Sequence, residues 1–169
     1  MDAEEFDDFY TASFNRLVGQ VYAMIGDRDE AQECVQEAFV RAWSHRGRLD
    51  RAGHPEAWVR TTAYRLAVSR WRRVVRSRRS PDRALQHGPA SAPPDPDRVA
   101  LVAALRRLPE EQRRAIVLHH IADLPVAEVA AETGVPVGTV KARLSRGRTA
   151  LALLLDEHDD ELAEGAGHA

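Results

Sequence analysis

The chain has 169 residues, 44% hydrophobic and 30% charged, enough for one ordinary domain or two small ones and too rich in core formers for a disordered chain. Its single cysteine, Cys34, excludes an internal disulfide and a multi-cysteine zinc site. No apolar run reaches a membrane-spanning length, and the acidic N-terminus lacks a signal-peptide core, so no membrane is expected and the cytoplasm is the expected compartment.

The net charge of −2 hides strong segregation. Residues 1–40 carry ten acids against two arginines, and residues 41–83 carry thirteen arginines against three acids. Residues 98–155 carry nine bases against five acids, and 156–169 six acids with no Lys or Arg. Such blocks predict one acidic surface for a protein partner and two basic surfaces for nucleic acid. Alanine, leucine, arginine and glutamate dominate, which favours helix throughout.

Residues 4–25 read as helix, with an interruption expected near Thr11–Ser13. Phe6, Phe9, Tyr10, Phe14, Leu17, Val21 and Ile25 keep close to the helical period, and Gly26 ends the run. Asp27-Arg-Asp-Glu30 fits a capping box with Asp as the cap, opening a helix expected from Arg28 to His45. Ala31, Cys34, Val35, Ala38, Phe39 and Ala42 form its apolar face, which makes Cys34 an inert core thiol. Its other face is mostly acidic: Asp29, Glu30, Glu33 and Glu37 with Gln32, Gln36 and Arg41.

Arg46–His54 reads as a loop, and Pro55 suits the opening of a third helix to about Val75. There Trp58, Val59, Ala63, Leu66, Ala67, Trp71 and Val74 are apolar, while Arg60, Arg65, Arg70, Arg72, Arg73 and Arg76 are basic, and no acid follows Glu56 until Asp82. Arginines interleaved with Tyr64 and tryptophans suit an unstacked nucleic-acid strand. Each tryptophan taken singly is expected in the core.

Ser77–Pro96 holds five of the nine prolines and one large apolar residue, Leu85, so it reads as an extended linker. A second helical unit follows. Val99, Leu101, Val102, Leu105 and Leu108 make one short amphipathic helix, and Pro109-Glu-Glu-Gln112 opens another with Ala115, Ile116, Leu118 and Ile121 expected inward.

Val126–Arg148 then reads as two helices around a tight turn. Val126, Val129 and Ala130 share one face, Gly134 ends the first helix in the left-handed region, and Pro136 restarts the chain. Val137, Val140 and Leu144 form the apolar stripe of the second helix. Around the wheel lie Gly138, Thr139, Ala142, Ser145, Arg146 and Thr149, with Lys141 and Arg143 on the flanks and no acid from Gly138 to Leu155. Small residues where a base edge must approach and cations where phosphates sit are what a recognition helix in the major groove needs. That helix is expected to run on to Leu155, with the acidic tail from Asp156 frayed.

Adjacent His119 and His120 point about 100° apart on a helix and have no third ligand at suitable spacing, so no metal is expected. No phosphate loop, nucleophile–base motif or paired catalytic carboxylates occur, and neither a cofactor nor an enzyme activity is expected.

The motifs in order resemble a bacterial RNA polymerase sigma factor of the sigma-70 family, in the extracytoplasmic-function group. The resemblance rests on Asp29-Glu-Ala-Gln-Glu-Cys-Val-Gln-Glu-Ala-Phe-Val-Arg-Ala-Trp43, Pro55-Glu-Ala-Trp-Val-Arg60, Arg72-Arg73, Leu108-Pro109-Glu-Glu-Gln-Arg113 and Val135-Pro-Val-Gly-Thr-Val-Lys-Ala-Arg-Leu144. It covers roughly residues 6–155 and implies an all-α protein of two small helical domains joined by a flexible Pro-rich linker, the second containing a helix-turn-helix. The expected boundaries are 4–76, a linker at 77–96, 97–155, and an acidic tail at 156–169.

By that resemblance the first domain binds the β′ clamp helices of the polymerase core and opens the minus-ten element. The second binds the minus-thirty-five element of promoter DNA and the β flap. An anti-sigma factor enters as a candidate partner. Carried over by position, Glu30, Glu33, Gln36 and Glu37 dock on polymerase. The loop Arg46–His54 and a helix face with Arg60, Tyr64, Arg65, Arg70, Arg72 and Arg73 hold the melted strand. Lys141, Ala142, Ser145 and Arg146 face bases, with Thr139 and Arg143 nearer phosphates. Arg65 and Ser69 stand where the family often has Asn and Asp, and Pro125 where a Ser cap is common.

A stand-alone helix-turn-helix regulator is the alternative, with residues 1–75 sensing a ligand or dimerising. An arginine-dense helix makes a poor ligand pocket. A regulator would bind its duplex site alone, whereas a sigma factor requires core polymerase.

Overall fold

The computed structural model describes residues 1–77 and 95–166, with side chains to His158 in the last helix. The expected linker at 77–96 lies almost wholly outside the described residues. The chain divides into two compact units, within residues 1–91 and 92–169, and all regular structure among the described residues is helical.

The first unit packs three long helices: α1 (Ala3–Ile25), α2 (Arg28–Ala52) and α3 (Pro55–Ser77). A capping box opens α1, with Asp2 Oδ1 accepting from the Glu5 N–H at 2.9 Å and Glu5 Oε2 accepting from the Asp2 N–H at 2.8 Å. The helix runs unbroken through the expected interruption; Ser13 is buried there and satisfies its hydroxyl within the helix by donating to the Phe9 carbonyl at 2.5 Å. Leu17, Val21, Ala31, Cys34, Val35, Ala38, Ala42, Val59 and Ala63 form the centre of the core. Each fully buried Leu or Val contributes about 1.5–3 kcal/mol.

The expected loop Arg46–His54 is mostly helix: α2 continues to Ala52, and only Gly53 and His54 separate it from α3. The buried side chain of Leu49 anchors the extra turns, and the Arg46 guanidinium stacks 4.2 Å from the Trp43 ring centroid. Gly53 ends the helix at φ 72°, its N–H donating to the Leu49 carbonyl at 3.2 Å.

The second unit contains α4 (Pro96–Arg107), α5 (Glu110–Ile116), α6 (Val126–Thr133) and α7 (Val137–Ala166). A π-helical turn, Val117–Ile121, prolongs α5. Val102, Leu105, Leu108, Ile116, Val117, Leu118, Val129, Val140 and Leu144 form its core. The helix α7 does not stop near Leu155 but reaches Ala166. Residues 156–166 include three Glu, two Ala and one Leu, all good helix formers, which prolong the helix in spite of the unfavourable acids near a C-terminus, and Glu157 pairs with Arg107 at 3.2 Å.

Candidate functional site

In the second unit the helix-turn-helix is α6, its turn and α7. Gly134 takes φ 71°, and its N–H and that of Val135 both donate to the Ala130 carbonyl, at 2.9 and 3.2 Å. A side chain with Cβ at that φ is strained, so glycine sets the turn. Pro125 and Pro136 stand before the two helices. The Pro125 carbonyl accepts from Glu128 and Val129, and the Pro136 carbonyl from Thr139 and Val140, so α6 opens without a side-chain cap.

Val140 and Leu144, 1% and 2% exposed, anchor α7. Val137, expected on the same stripe, is exposed because it lies in the first turn, beyond the packed surface. Lys141, Ser145 and Arg146 are exposed, while Thr139, Ala142 and Arg143 are half-buried. Arg143 is engaged within the unit, its Nη2 lying 3.3 Å from Glu111 Oε2 on α5.

Gly147 interrupts this basic run and is buried. A Cβ there would lie 2.9 Å from Ile116 Cγ1, so the missing side chain lets α7 close on α5. The available signal was its position: Gly147 falls three residues after Leu144 on the apolar stripe, where a helix-interior glycine marks close approach.

In the first unit the acidic face of α2 is built around one cap. Asp27 accepts from the Glu30 N–H at 3.0 Å, half of the expected capping box. The Glu30 side chain instead accepts from Cys34 Sγ at 3.3 Å and from Arg70 Nη1 at 3.2 Å. Glu33 also receives Arg70, Glu37 pairs with Arg41 at 2.7 Å, and Gln36 is exposed. Val40, missed by sequence reasoning, is 66% exposed one turn beyond Gln36 and Glu37. A lone apolar residue on a polar face was the signal. Burial, then the Glu30 carboxylate, push the Cys34 thiol up to about 12, which keeps it neutral.

The structure divides the expected strand-holding set on α3. Arg60 is only 2% exposed and donates from Nη1 to Gln20 Oε1 at 3.0 Å. Tyr64 is buried as well. Both belong to the interior, because their turn of α3 lies against α1 and α2 at the core. Arg65, Arg72 and Arg73 are exposed. Arg70 is half-buried and turned toward α2. Trp58 packs partly against the core, whereas Trp71, also expected inside, is 65% exposed because α3 outruns the core there. Val74 and Val75 share that exposure.

The His119 and His120 rings meet edge to face at 4.8 Å. His119 Nδ1 is 2.8 Å from the Leu124 carbonyl, which ties that ring to the backbone after the π turn. Desolvation, then His119 and Arg148, hold His120 below the ordinary histidine range. No group of three or more metal-ligating side chains occurs among the described residues. No helix there is long and apolar enough to cross a membrane.

Residues 9–78 match the family described as Sigma-70 region 2, and residues 98–151 the family described as Sigma-70, region 4. Over 159 residues the chain is 30% identical to the ECF RNA polymerase sigma factor SigK of Mycobacterium sp. (strain KMS), covering 86% of this chain and 80% of that one. It is 31% identical over 140 residues to the ECF RNA polymerase sigma factor SigL of Mycobacterium tuberculosis (strain ATCC 25618 / H37Rv), covering 79% of each. Among solved structures, the sigma factor RpoE from Bartonella quintana, in complex with the anti-sigma factor NepR, matches with a TM-score of 0.72 at 25% identity. That match covers 91% of this chain and 98% of that one.

Proposed function

The chain belongs to the sigma-70 family of RNA polymerase sigma factors, in its extracytoplasmic-function group, and from that premise we propose how its own residues divide the work. It directs promoter-specific transcription initiation through core RNA polymerase. It supplies recognition to the polymerase and no catalysis of its own, and it works in the cytoplasm, where polymerase and promoters are. An anti-sigma factor is its expected regulator, by analogy with the RpoE–NepR complex.

The first domain, residues 4–76, docks through the α2 face carrying Glu30, Glu33, Gln36 and Glu37 on the β′ clamp helices. Its exposed Arg65, Arg72 and Arg73 attract the phosphates of the melted minus-ten strand, and Trp71 offers a flat face on which a base can stack. The second domain, residues 97–155, lays α7 in the major groove of the minus-thirty-five duplex and contacts the β flap. There Lys141, Ala142, Ser145 and Arg146 meet base edges, with Thr139 and Arg143 nearer phosphates.

The observation that carries this reading is the α7 face itself. Val140 and Leu144 are fixed in the core, and the exposed side presents small residues and cations without an acid.

The docking half is tested by Glu33→Arg with Glu37→Arg. Glu33 is exposed and Glu37 half-buried, both off the buried stripe, so the fold should survive while binding to core polymerase is lost. Pull-down of core enzyme at wild-type strength would refute the docking assignment.

A further inference from the structure

One guanidinium joins the two surfaces of the first unit. Arg70 stands on the arginine-rich helix α3, yet its Nη1 lies 3.2 Å from Glu30 Oε1 and 3.2 Å from Glu33 Oε2. Glu30 and Glu33 are three residues apart on α2 and therefore neighbours on one face. A single nitrogen between them sets the spacing of both carboxylates. Arg70 is about two-thirds covered, its side chain 32% exposed, while the Glu33 side chain held by it is 69% exposed. Glu33 is thus fixed and still presented to solvent. From below, Cys34 adds a neutral donor to the same Glu30 oxygen at 3.3 Å. Nη1 is taken by both carboxylates, so a phosphate that drew on this nitrogen would have to displace them.

We propose that Arg70 is a positioning residue of the polymerase-docking face and not a strand contact. It holds Glu30 and Glu33 in the side-chain conformations from which α2 meets the polymerase core. The proposal rests on the docking reading above. Half-exposed ion pairs contribute little to stability, so their loss leaves the fold intact. What is lost is order: two carboxylates must then be immobilised on association.

The experiment compares the full chain with Arg70→Ala, Arg70→Met and Arg70→Lys in three measurements. These are affinity for purified core polymerase, holoenzyme binding to forked promoter DNA across a salt series, and thermal midpoint of the free chain. Arg70→Ala and Arg70→Met should weaken core binding about three- to tenfold at an unchanged midpoint. Arg70→Lys should recover part of that loss, since an ammonium can also lie between two carboxylates. The salt slope of DNA binding should stay at the wild-type value. Wild-type core affinity in both Arg70→Ala and Arg70→Met overturns the proposal, and so does a salt slope reduced by about one contact. A core-binding defect present only in variants with a lowered midpoint overturns it too. The Glu33→Arg, Glu37→Arg chain separates the two levels. If it binds core normally, the docking reading itself fails; if it does not bind and the Arg70 variants do, only the positioning role falls.

Discussion

Arg143 Nη2 on α7 lies 3.3 Å from Glu111 Oε2 on α5, so a cation at the rim of the recognition helix is held by a carboxylate of its own unit. The Arg143 side chain is 19% exposed and that of Glu111 72%. On the reading proposed above, Glu111 would compete with DNA for this guanidinium. Glu111→Gln should raise affinity for all promoter sequences alike, since the pair no longer has to be broken. It should leave the salt slope nearly unchanged, because Arg143 counts as one phosphate contact in either chain. Arg143→Ala should lower affinity for all sequences and flatten that slope by about one. Holoenzyme binding at several salt concentrations reads both, and a sequence-dependent loss in Arg143→Ala would place this residue at a base.

Arg146 should behave differently. It is exposed, on the side of α7 away from Val140 and Leu144, and has the reach for a guanine edge. A bidentate contact of that kind discriminates by about 1–3 kcal/mol. Arg146→Ala should weaken the preferred minus-thirty-five element about five- to 150-fold more than altered elements. Equal weakening on every element would take Arg146 out of the base-reading set.

Two glycines on α7 should respond with opposite signs. A Cβ at Gly147 would come within 2.9 Å of Ile116 Cγ1, whereas one at Gly138 meets nothing within 4 Å. Gly147→Ala should lose about 1–2 kcal/mol, overpacking outweighing the gain in helix propensity. Gly138→Ala should gain up to about 1 kcal/mol. Denaturant midpoints measure both, and a stabilised Gly147→Ala would mean that Ile116 moves aside freely.

Cys34 should be unreactive while the chain is folded. Burial, then Glu30, push its thiol up to about 12, so at pH 8 almost no thiolate exists to be alkylated. Because the folded value is raised, this group's contribution to stability is complete below the unfolded thiol value. It is lost as pH rises from about 9 toward about 12. Alkylation at pH 8 should proceed only at the rate of unfolding, and a faster reaction would show an opening of α2.

The residues explain how far the sequence could be read. Periodic stripes revealed the cores: Ala31, Cys34, Val35, Ala38, Phe39 and Ala42 are all buried as their spacing predicts. The helix-turn-helix was equally plain, because Gly134 carries its own conformational signature. The departures are effects of tertiary structure. Arg60 is a core residue because Gln20, forty positions away, accepts from it inside the bundle. Arg46–Ala52 is helical because Leu49 reaches the core despite Gly47. Trp71 is exposed because the core ends before α3 does. Arg70 faces α2 because α3 packs beside it, which brings Arg70 to Glu30 and Glu33 on the acidic face. Within α3 alone, Arg60, Arg65 and Arg70 look equivalent; their neighbours separate them.

The most direct measurement is run-off transcription with purified core polymerase, with start-site mapping on genomic promoter fragments. The chain should produce discrete starts only when core enzyme is present, each preceded by shared minus-thirty-five and minus-ten elements. It should bind the same duplexes far more weakly on its own. Specific, tight binding of the chain alone to duplex DNA, with no change in start sites when it is added to core polymerase, would contradict the account and return the chain to the class of stand-alone regulators.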